Sequence, residues 1–231
     1  MRRFWKEVTA EQSAWGFGIR LDGRILKTPM KAELLLPTTA LRDAVVGEWT
    51  AVAEVIDPAT MPMTGFANAA IDHVAPDPAD FAAHIAAYAE TDALCYRAEA
   101  GEALAAKQAM LWDPLLDWAR GRYDVSFTIV GGVMHQPQPT AMLATLGQAV
   151  AARGTFELAA MAKLAHLAGS LVAVLAIVEQ AAEPKPLWQL LCLEELWQEE
   201  LWGEDYWAQK NRDDREKEFL EAARFLELLR G

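Results

Sequence analysis

Trp15, Phe17, Ile19 and Leu21 alternate with Gly16, Gly18 and Arg20, and the pair Asp22-Gly23 follows directly. Alternation with a period of two is the pattern of a half-buried strand. An Asp-Gly pair between two strand-like runs is a strong hairpin signal, because glycine tolerates the positive φ that a two-residue turn needs. The second run, Arg24-Ile25-Leu26-Lys27-Thr28, completes the hairpin, and residues 3–8 and 33–36 are read as flanking strands. The chain is therefore expected to open with a small antiparallel sheet.

From Thr39 onward the period changes. Leu41, Val45, Trp49, Val52 and Ile56 recur every three or four residues, one face of a helix that Pro58 ends. Helices are expected over 64–73, 80–98 and 102–122, with a strand at 125–130 closed by Gly131-Gly132. His135-Gln136-Pro137-Gln138-Pro139 reads as a linker, since two prolines in three residues suit neither element interior. Beyond it the pattern is helical throughout, at about 140–153, 155–181, 186–202 and 213–230. The fold class is thus α+β: a domain at 1–134 with a small antiparallel sheet plus helices, and a multihelical bundle at 135–231. Residues 75–80 are the alternative boundary.

Composition narrows the function. The 231 residues carry a net charge of −12, with 53% hydrophobic residues. That is ample material for a core. It also argues against nucleic acid or an anionic membrane as the main partner, because both demand concentrated positive charge. The charge is uneven: seven basic and three acidic groups lie in residues 1–31, against six basic and twelve acidic in 194–231. Two distant cysteines, Cys95 and Cys192, suit a reducing compartment. The start has two arginines but no apolar run behind them, so no secretory signal is expected. The apolar stretch 158–178 holds Lys163 and His166 and is broken at Gly169-Ser170, which fits buried helices and not a membrane span.

Chemical motifs are sparse. Gly16-Phe17-Gly18 lacks the third glycine of a dinucleotide loop and lies inside a strand pattern, and no phosphate loop occurs. No nucleotide, cofactor or metal site is expected. Asp72, His73 and Cys95 are the only candidates for an acid–base or thiol site, without the spacing of a complete constellation. They support an alternative reading, a small cytosolic metabolic enzyme with an inter-domain cleft. His166 is expected in a core or an interface.

The helix read over 187–202 is more informative. At about 100° per residue, Glu194, Glu195, Gln198 and Glu199 share a sector with Leu191 and Trp202. An aromatic and a leucine at the ends of an acidic face have the composition of a protein-binding hot spot. These six residues are the candidate client-binding set, with Gly203 as the helix stop. Asp213 and Glu216 fit a capping box for the last helix, with Phe219, Ala222, Ala223, Leu226 and Leu229 as its apolar stripe.

A series of motifs runs through nearly the whole chain in order. It comprises Arg3-Phe4-Trp5-Lys6, Leu21-Asp22-Gly23-Arg24, Leu26-Lys27-Thr28-Pro29, Glu48-Trp49, Met61-Pro62-Met63-Thr64 and Ala70-Ile71-Asp72. It continues with Glu90-Thr91-Asp92-Ala93-Leu94-Cys95-Tyr96-Arg97, Trp112-Asp113-Pro114-Leu115-Leu116, Glu194-Glu195 and Trp202-Gly203. In these the sequence resembles the assembly chaperones of the F1-ATPase alpha subunit. The resemblance implies an N-terminal α+β part, a C-terminal helical part and no enzymatic activity. It also implies a cytoplasmic bacterial protein that holds the free alpha subunit, without using ATP, until the beta subunit replaces it. A functionally sensitive acidic position of the family corresponds to Glu194 or Glu195.

Overall fold

The structure, a computed structural model, describes residues 2–132 and 134–231. Its strands are β1 (Val8–Ser13), β2 (Gly16–Leu21), β3 (Arg24–Ile25), β4 (Leu35–Leu36), β5 (Tyr96–Arg97) and β6 (Val130–Gly131). Its helices are α1 (Thr39–Ala51), α2 (Pro62–Ala69), α3 (Pro78–Ala86), α4 (Ala103–Tyr123), α5 (Thr140–Ala151), α6 (Thr155–Ala168), α7 (Leu171–Val178), α8 (Pro184–Leu191), α9 (Leu193–Trp202) and α10 (Tyr206–Leu228). This is the expected α+β fold, with the small sheet at its beginning. The chain packs as two compact units. One is Met1–Pro78 with Gly154–Ala160 and Glu221–Gly231; the other is Ala79–Arg153 with Met161–Leu220.

In the first unit, β1 pairs antiparallel with β2 from Val8↔Leu21 to Ser13↔Gly16, and β3 and β4 pair with the other edge of β2. Asp22 (φ 48) and Gly23 (φ 79) form the turn between β2 and β3, as the Asp-Gly pair requires. The first strand is shifted from its expected place at 3–8. Residues 8–13 face β2, while Arg2 makes an isolated bridge to Val55. Asp22 explains part of this shift: its carboxylate accepts the backbone N–H groups of Glu7 (2.9 Å) and Lys6 (3.0 Å), which fixes the approach to β1. Those bonds, Glu7 first, hold the Asp22 carboxyl below its ordinary range. Gly16 lies in β2 because a Cβ there would meet the carbonyl oxygen of Leu36 at 2.6 Å, so its glycine answers to strand packing.

Carboxylates from one element cap another throughout this unit. Leu41, Val45 and Trp49 of α1 are buried, and the helix ends at Ala51, earlier than Pro58 alone suggested. On the same helix Glu48 accepts from the N–H groups of Met63 and Thr64 and from the Thr64 hydroxyl (2.6–2.8 Å), capping α2. Burial, only partly offset by these bonds, raises the Glu48 pKa. Asp72 is buried where α2 continues into a π-helical turn; it accepts from the Thr28 hydroxyl (2.6 Å) and the Met30 N–H (3.0 Å). Phe225, near the end of α10, meets Phe66 at a tilt (ring centroids 5.1 Å apart) and stacks on Phe156 (6.3 Å).

The second unit is built on α4. A cluster of Leu94, Cys95, Trp112, Leu116, Ala119, Val172 and Leu193 forms part of its core, and every residue of α7 is buried. Three expected elements are broken here. The helix expected over 80–98 stops after Ala89, because Asp92 leaves the helical path to accept from Leu94 N–H (3.0 Å) and Val172 N–H (2.9 Å). It thereby starts a short 3-10 turn and steadies the start of α7. Gly169 (φ 60) and Ser170 divide the apolar stretch, with the Ser170 hydroxyl accepting from Ala173 N–H to begin α7. Of the strand expected at 125–130, only Val130 pairs, as part of β6, which runs parallel to β5.

The boundary expected at 134/135 falls inside this second unit. Gln138, buried between the two prolines, bonds both the N–H and the carbonyl of Thr128 (3.0 and 2.9 Å). Gln138 thus pins the segment to the strand-like run before it, while His135, Gln136 and Pro137 remain exposed. His166, expected in a core or interface, is exposed on α6. Among the described residues no helix is long and apolar enough to cross a membrane.

Candidate functional site

The helix expected over 186–202 is two helices. Cys192 (φ −82, ψ 9) takes up the joint between α8 and α9 and shifts the phase of the pattern. Five of the six candidate residues lie on α9, and the joint separates only Leu191 from them. Leu191 belongs to α8 and is half-buried against the core cluster around Trp112. Glu194 accepts from the side-chain amide of Gln108 (2.7 Å), whose oxygen takes the N–H of Ala98 (2.8 Å). Because Gln108 is wholly buried, Glu194 completes a polar relay that joins α9 to α4.

Two more of the carboxylates are engaged by α10. Both oxygens of Glu195 lie 2.7 Å from one terminal nitrogen of Arg215, and Glu199 makes a two-point pair with Arg212 at 2.7 and 2.9 Å. The bond to Glu199 raises the pKa of Arg212. The Arg212–Glu199 pair is largely shielded from water, at 11% and 18% side-chain exposure, so it constrains geometry more than a surface pair would. Arg215 also lies over the Trp188 ring at 5.5 Å, and Trp188 packs on Phe219 at 5.1 Å. On the opposite flank Lys107 bonds Glu200 (3.0 Å) and sits 4.9 Å from the Trp197 ring. Most of the acidic helix is thus a clamp between α4 and α10, while Gln198 and Trp202 stand exposed to solvent.

What these clamps hold out is apolar. Leu201 (57% exposed), Trp202 (77%), Tyr206 (68%) and Trp207 (73%) fall within seven residues at the junction of α9 and α10. Gly203 ends α9, donating its N–H to the Glu199 carbonyl (2.9 Å), with φ 92 and ψ 165. That extended, positive-φ conformation suits glycine at the helix stop that the sequence suggested. The α10 cap is Asp205, which accepts from Ala208 N–H at 2.8 Å. The expected capping box at Asp213 lies two turns inside the helix. Sequence reasoning therefore missed Tyr206 and Trp207 as part of a site: placing the helix start at 213 left them in a loop. The signal that could have found them was Asp205 itself, an N-cap residue preceding two aromatics.

The residues of the enzyme reading are otherwise occupied. Asp72 ties down the segment 28–30, and His73 is exposed beside it in the first unit. Cys95, in the second unit, is fully buried; burial first, and then Asp92, push its thiol up to about 12, where it carries no thiolate at neutral pH. A cleft of about 420 Å³ in the first unit is lined chiefly by Pro37, Phe156, Leu226 and Leu229, with Glu157 and Arg230, and by none of those three candidates. Among the described residues no group of His, Cys, Asp or Glu is arranged to hold a metal ion.

The junction of α9 and α10 thus presents exposed aromatics on a braced helix pair, and Cys95 and Cys192 are buried thiols. The family model described as ATP12 chaperone protein matches residues 2–120. The crystal structure of Atp12 from Paracoccus denitrificans is 40% identical, with a TM-score of 0.94 over 99% of this chain and 98% of that one. A point mutant of P. denitrificans Atp12p matches at 40% identity and a TM-score of 0.95, covering 99% and 97%. A proposed chaperone from Agrobacterium tumefaciens is 38% identical, with a TM-score of 0.93 over 99% and 86%. The chain belongs to the ATP12 chaperone family, as a bacterial-type member. It is a chaperone of ATP synthase assembly.

Proposed function

We propose that this protein binds the free alpha subunit of the F1-ATPase and shields its apolar surface until the beta subunit takes its place, without using ATP and without catalysing a reaction. It does so in the bacterial cytoplasm. An unassembled subunit of a larger complex exposes apolar area that invites aggregation. A protein that covers such area needs apolar anchors of its own, and few enough of them that the true partner can displace it. The observation that carries this reading is the exposure of Leu201, Trp202, Tyr206 and Trp207 beside a clamped helix pair.

The acidic residues then divide into two roles. Trp202 and Gln198 touch the client, while Glu194, Glu195 and Glu199 hold α9 in place through Gln108, Arg215 and Arg212, and Leu191 seats the preceding helix. Charge reversal at Glu195 or Glu199 thus weakens client binding by loosening the helix pair.

The test is co-expression of the alpha subunit, without beta, in the presence or absence of this protein. The expected result is that alpha stays soluble and co-purifies with it in a nucleotide-independent complex, and that added beta subunit releases it. An alpha subunit that aggregates equally in both cases would sink the proposal.

A further inference from the structure

The corner between α9 and α10 has a charge as well as an apolar surface. Residues 200–207 contain Glu200, Glu204 and Asp205 and no basic residue. Glu200 is matched by Lys107, but Glu204 and Asp205 stand exposed between Trp202 and the Tyr206–Trp207 pair, whose rings meet edge to face at 5.2 Å. We infer that this corner is the client-docking surface proper, and that it takes an apolar segment bearing arginine or lysine. The inference rests on the reading under Proposed function and specifies which chemistry of the client is gripped.

Three physical arguments select that occupant. A purely apolar partner would strip water from Glu204 and from the oxygen of Asp205 not used in capping α10, and would return no opposite charge, which is unfavourable for an ionised carboxylate. A guanidinium or ammonium group offsets it by pairing with the carboxylates, and it also gains the attraction of the indole and phenol faces. A second copy of the chain, docked corner to corner about a two-fold axis, would set Glu204 and Asp205 against their own images. An anionic membrane surface would be repelled in the same way. A cationic, apolar protein segment is the occupant that satisfies both halves of the surface.

The corner is also preorganised. Only Gly203, Glu204 and Asp205 lie between the two helices. Gly203 closes α9 through Glu199, Asp205 caps α10 through Ala208, and the Glu195–Arg215 and Glu199–Arg212 pairs join the helices behind it. The span from Trp202 to Trp207 is five residues, so the aromatics stay within about 18 Å of one another along the backbone. Little ordering remains to be done on binding.

The experiment measures binding of purified F1-ATPase alpha subunit to the immobilised wild-type protein and to two variants, at low and high salt. The first variant combines Trp202→Ala, Tyr206→Ala and Trp207→Ala. The second combines Glu204→Gln with Asp205→Asn, which keeps an N-cap residue before α10. The aromatic variant is expected to bind about 100-fold more weakly, as hot-spot anchors do. The charge variant is expected to bind about 10-fold more weakly, chiefly through slower association, and to lose most of its salt dependence. All three proteins should melt at the same temperature. Wild-type affinity in the aromatic variant overturns the inference. So does a charge variant that associates as fast as wild type with the same salt response. If the wild-type protein itself does not bind the alpha subunit, the client assignment fails first and this inference falls with it.

Discussion

Helix α7 and the corner at 201–207 are both short stretches rich in large apolar side chains, and they meet opposite fates. All eight residues of α7 are buried, whereas Leu201, Trp202, Tyr206 and Trp207 are each more than half exposed. Side-chain hydrophobicity does not separate them. The polar groups at their ends do. Helix α7 begins at Ser170 and at the buried carboxylate of Asp92, so its first N–H groups find partners inside the core. The corner is bounded by Gly203, Glu204 and Asp205; Asp205 spends one oxygen on capping α10, and the exposed Glu204 carboxylate is met by water or by an opposite charge from outside the chain. Burial is allowed where the backbone and the charges are satisfied internally, and surface remains where they are not.

This contrast can be broken most forcefully inside α7. Leu175→Ala should cost about 3–4 kcal/mol by urea unfolding, the usual range for a leucine truncated in a packed core. A loss below about 1 kcal/mol would mean that α7 is not a rigid part of the core. Asp92→Ala should cost about 3 kcal/mol, because it strands two buried N–H groups.

The same aspartate gives the contrast a pH dependence. Burial, opposed by bonds from Val172, Ser170 and Leu94, raises the Asp92 pKa from 3.8 to about 6. Between those values the folded protein holds a proton that the unfolded chain has lost, so this group's contribution to stability falls as pH rises from about 4 to 6. The fall should amount to about 2–3 kcal/mol, since one pKa unit is about 1.4 kcal/mol. The comparison that isolates it is wild type against Asp92→Asn, by urea unfolding across that range. Parallel pH profiles would show that the carboxylate is not desolvated.

Smaller effects sharpen the other side. Gly203→Ala meets no steric obstacle, as a Cβ there has nothing within 4 Å, but it forces alanine to a φ near 92, at a cost of about 1–2 kcal/mol. Trp202→Ala and Trp207→Ala should each change the unfolding free energy by less than about 0.5 kcal/mol. Destabilisation by 2 kcal/mol or more would show that the aromatics are structural and would remove the docking surface.

Much of the fold could be read in advance where the signal is local. The hairpin at Asp22-Gly23, the start of α1 at Thr39 and the break at Gly169-Ser170 all depend on what one residue permits its own backbone to do. The candidate site was partly accessible for the same reason: Trp202 and Gly203 mark a helix end in any context. Carboxylates were the difficulty. Glu48, Asp72, Asp92, Glu194, Glu195 and Glu199 look alike in a sequence. Apart from the Leu94 N–H that Asp92 accepts, their partners lie far along the chain, from 13 residues on for Glu199 to 86 back for Glu194.

The sequence by itself determined the α+β class, the opening hairpin, the acidic character of the last helices and the family resemblance. Tertiary structure alone decided that the carboxylates of α9 are turned into clamps, that the Pro-rich segment is pinned through Gln138, and that the aromatic corner stays in water. The reason is that helical periodicity fixes which residues share a side of one element, while the partner of a charge is chosen by whichever distant element packs against it.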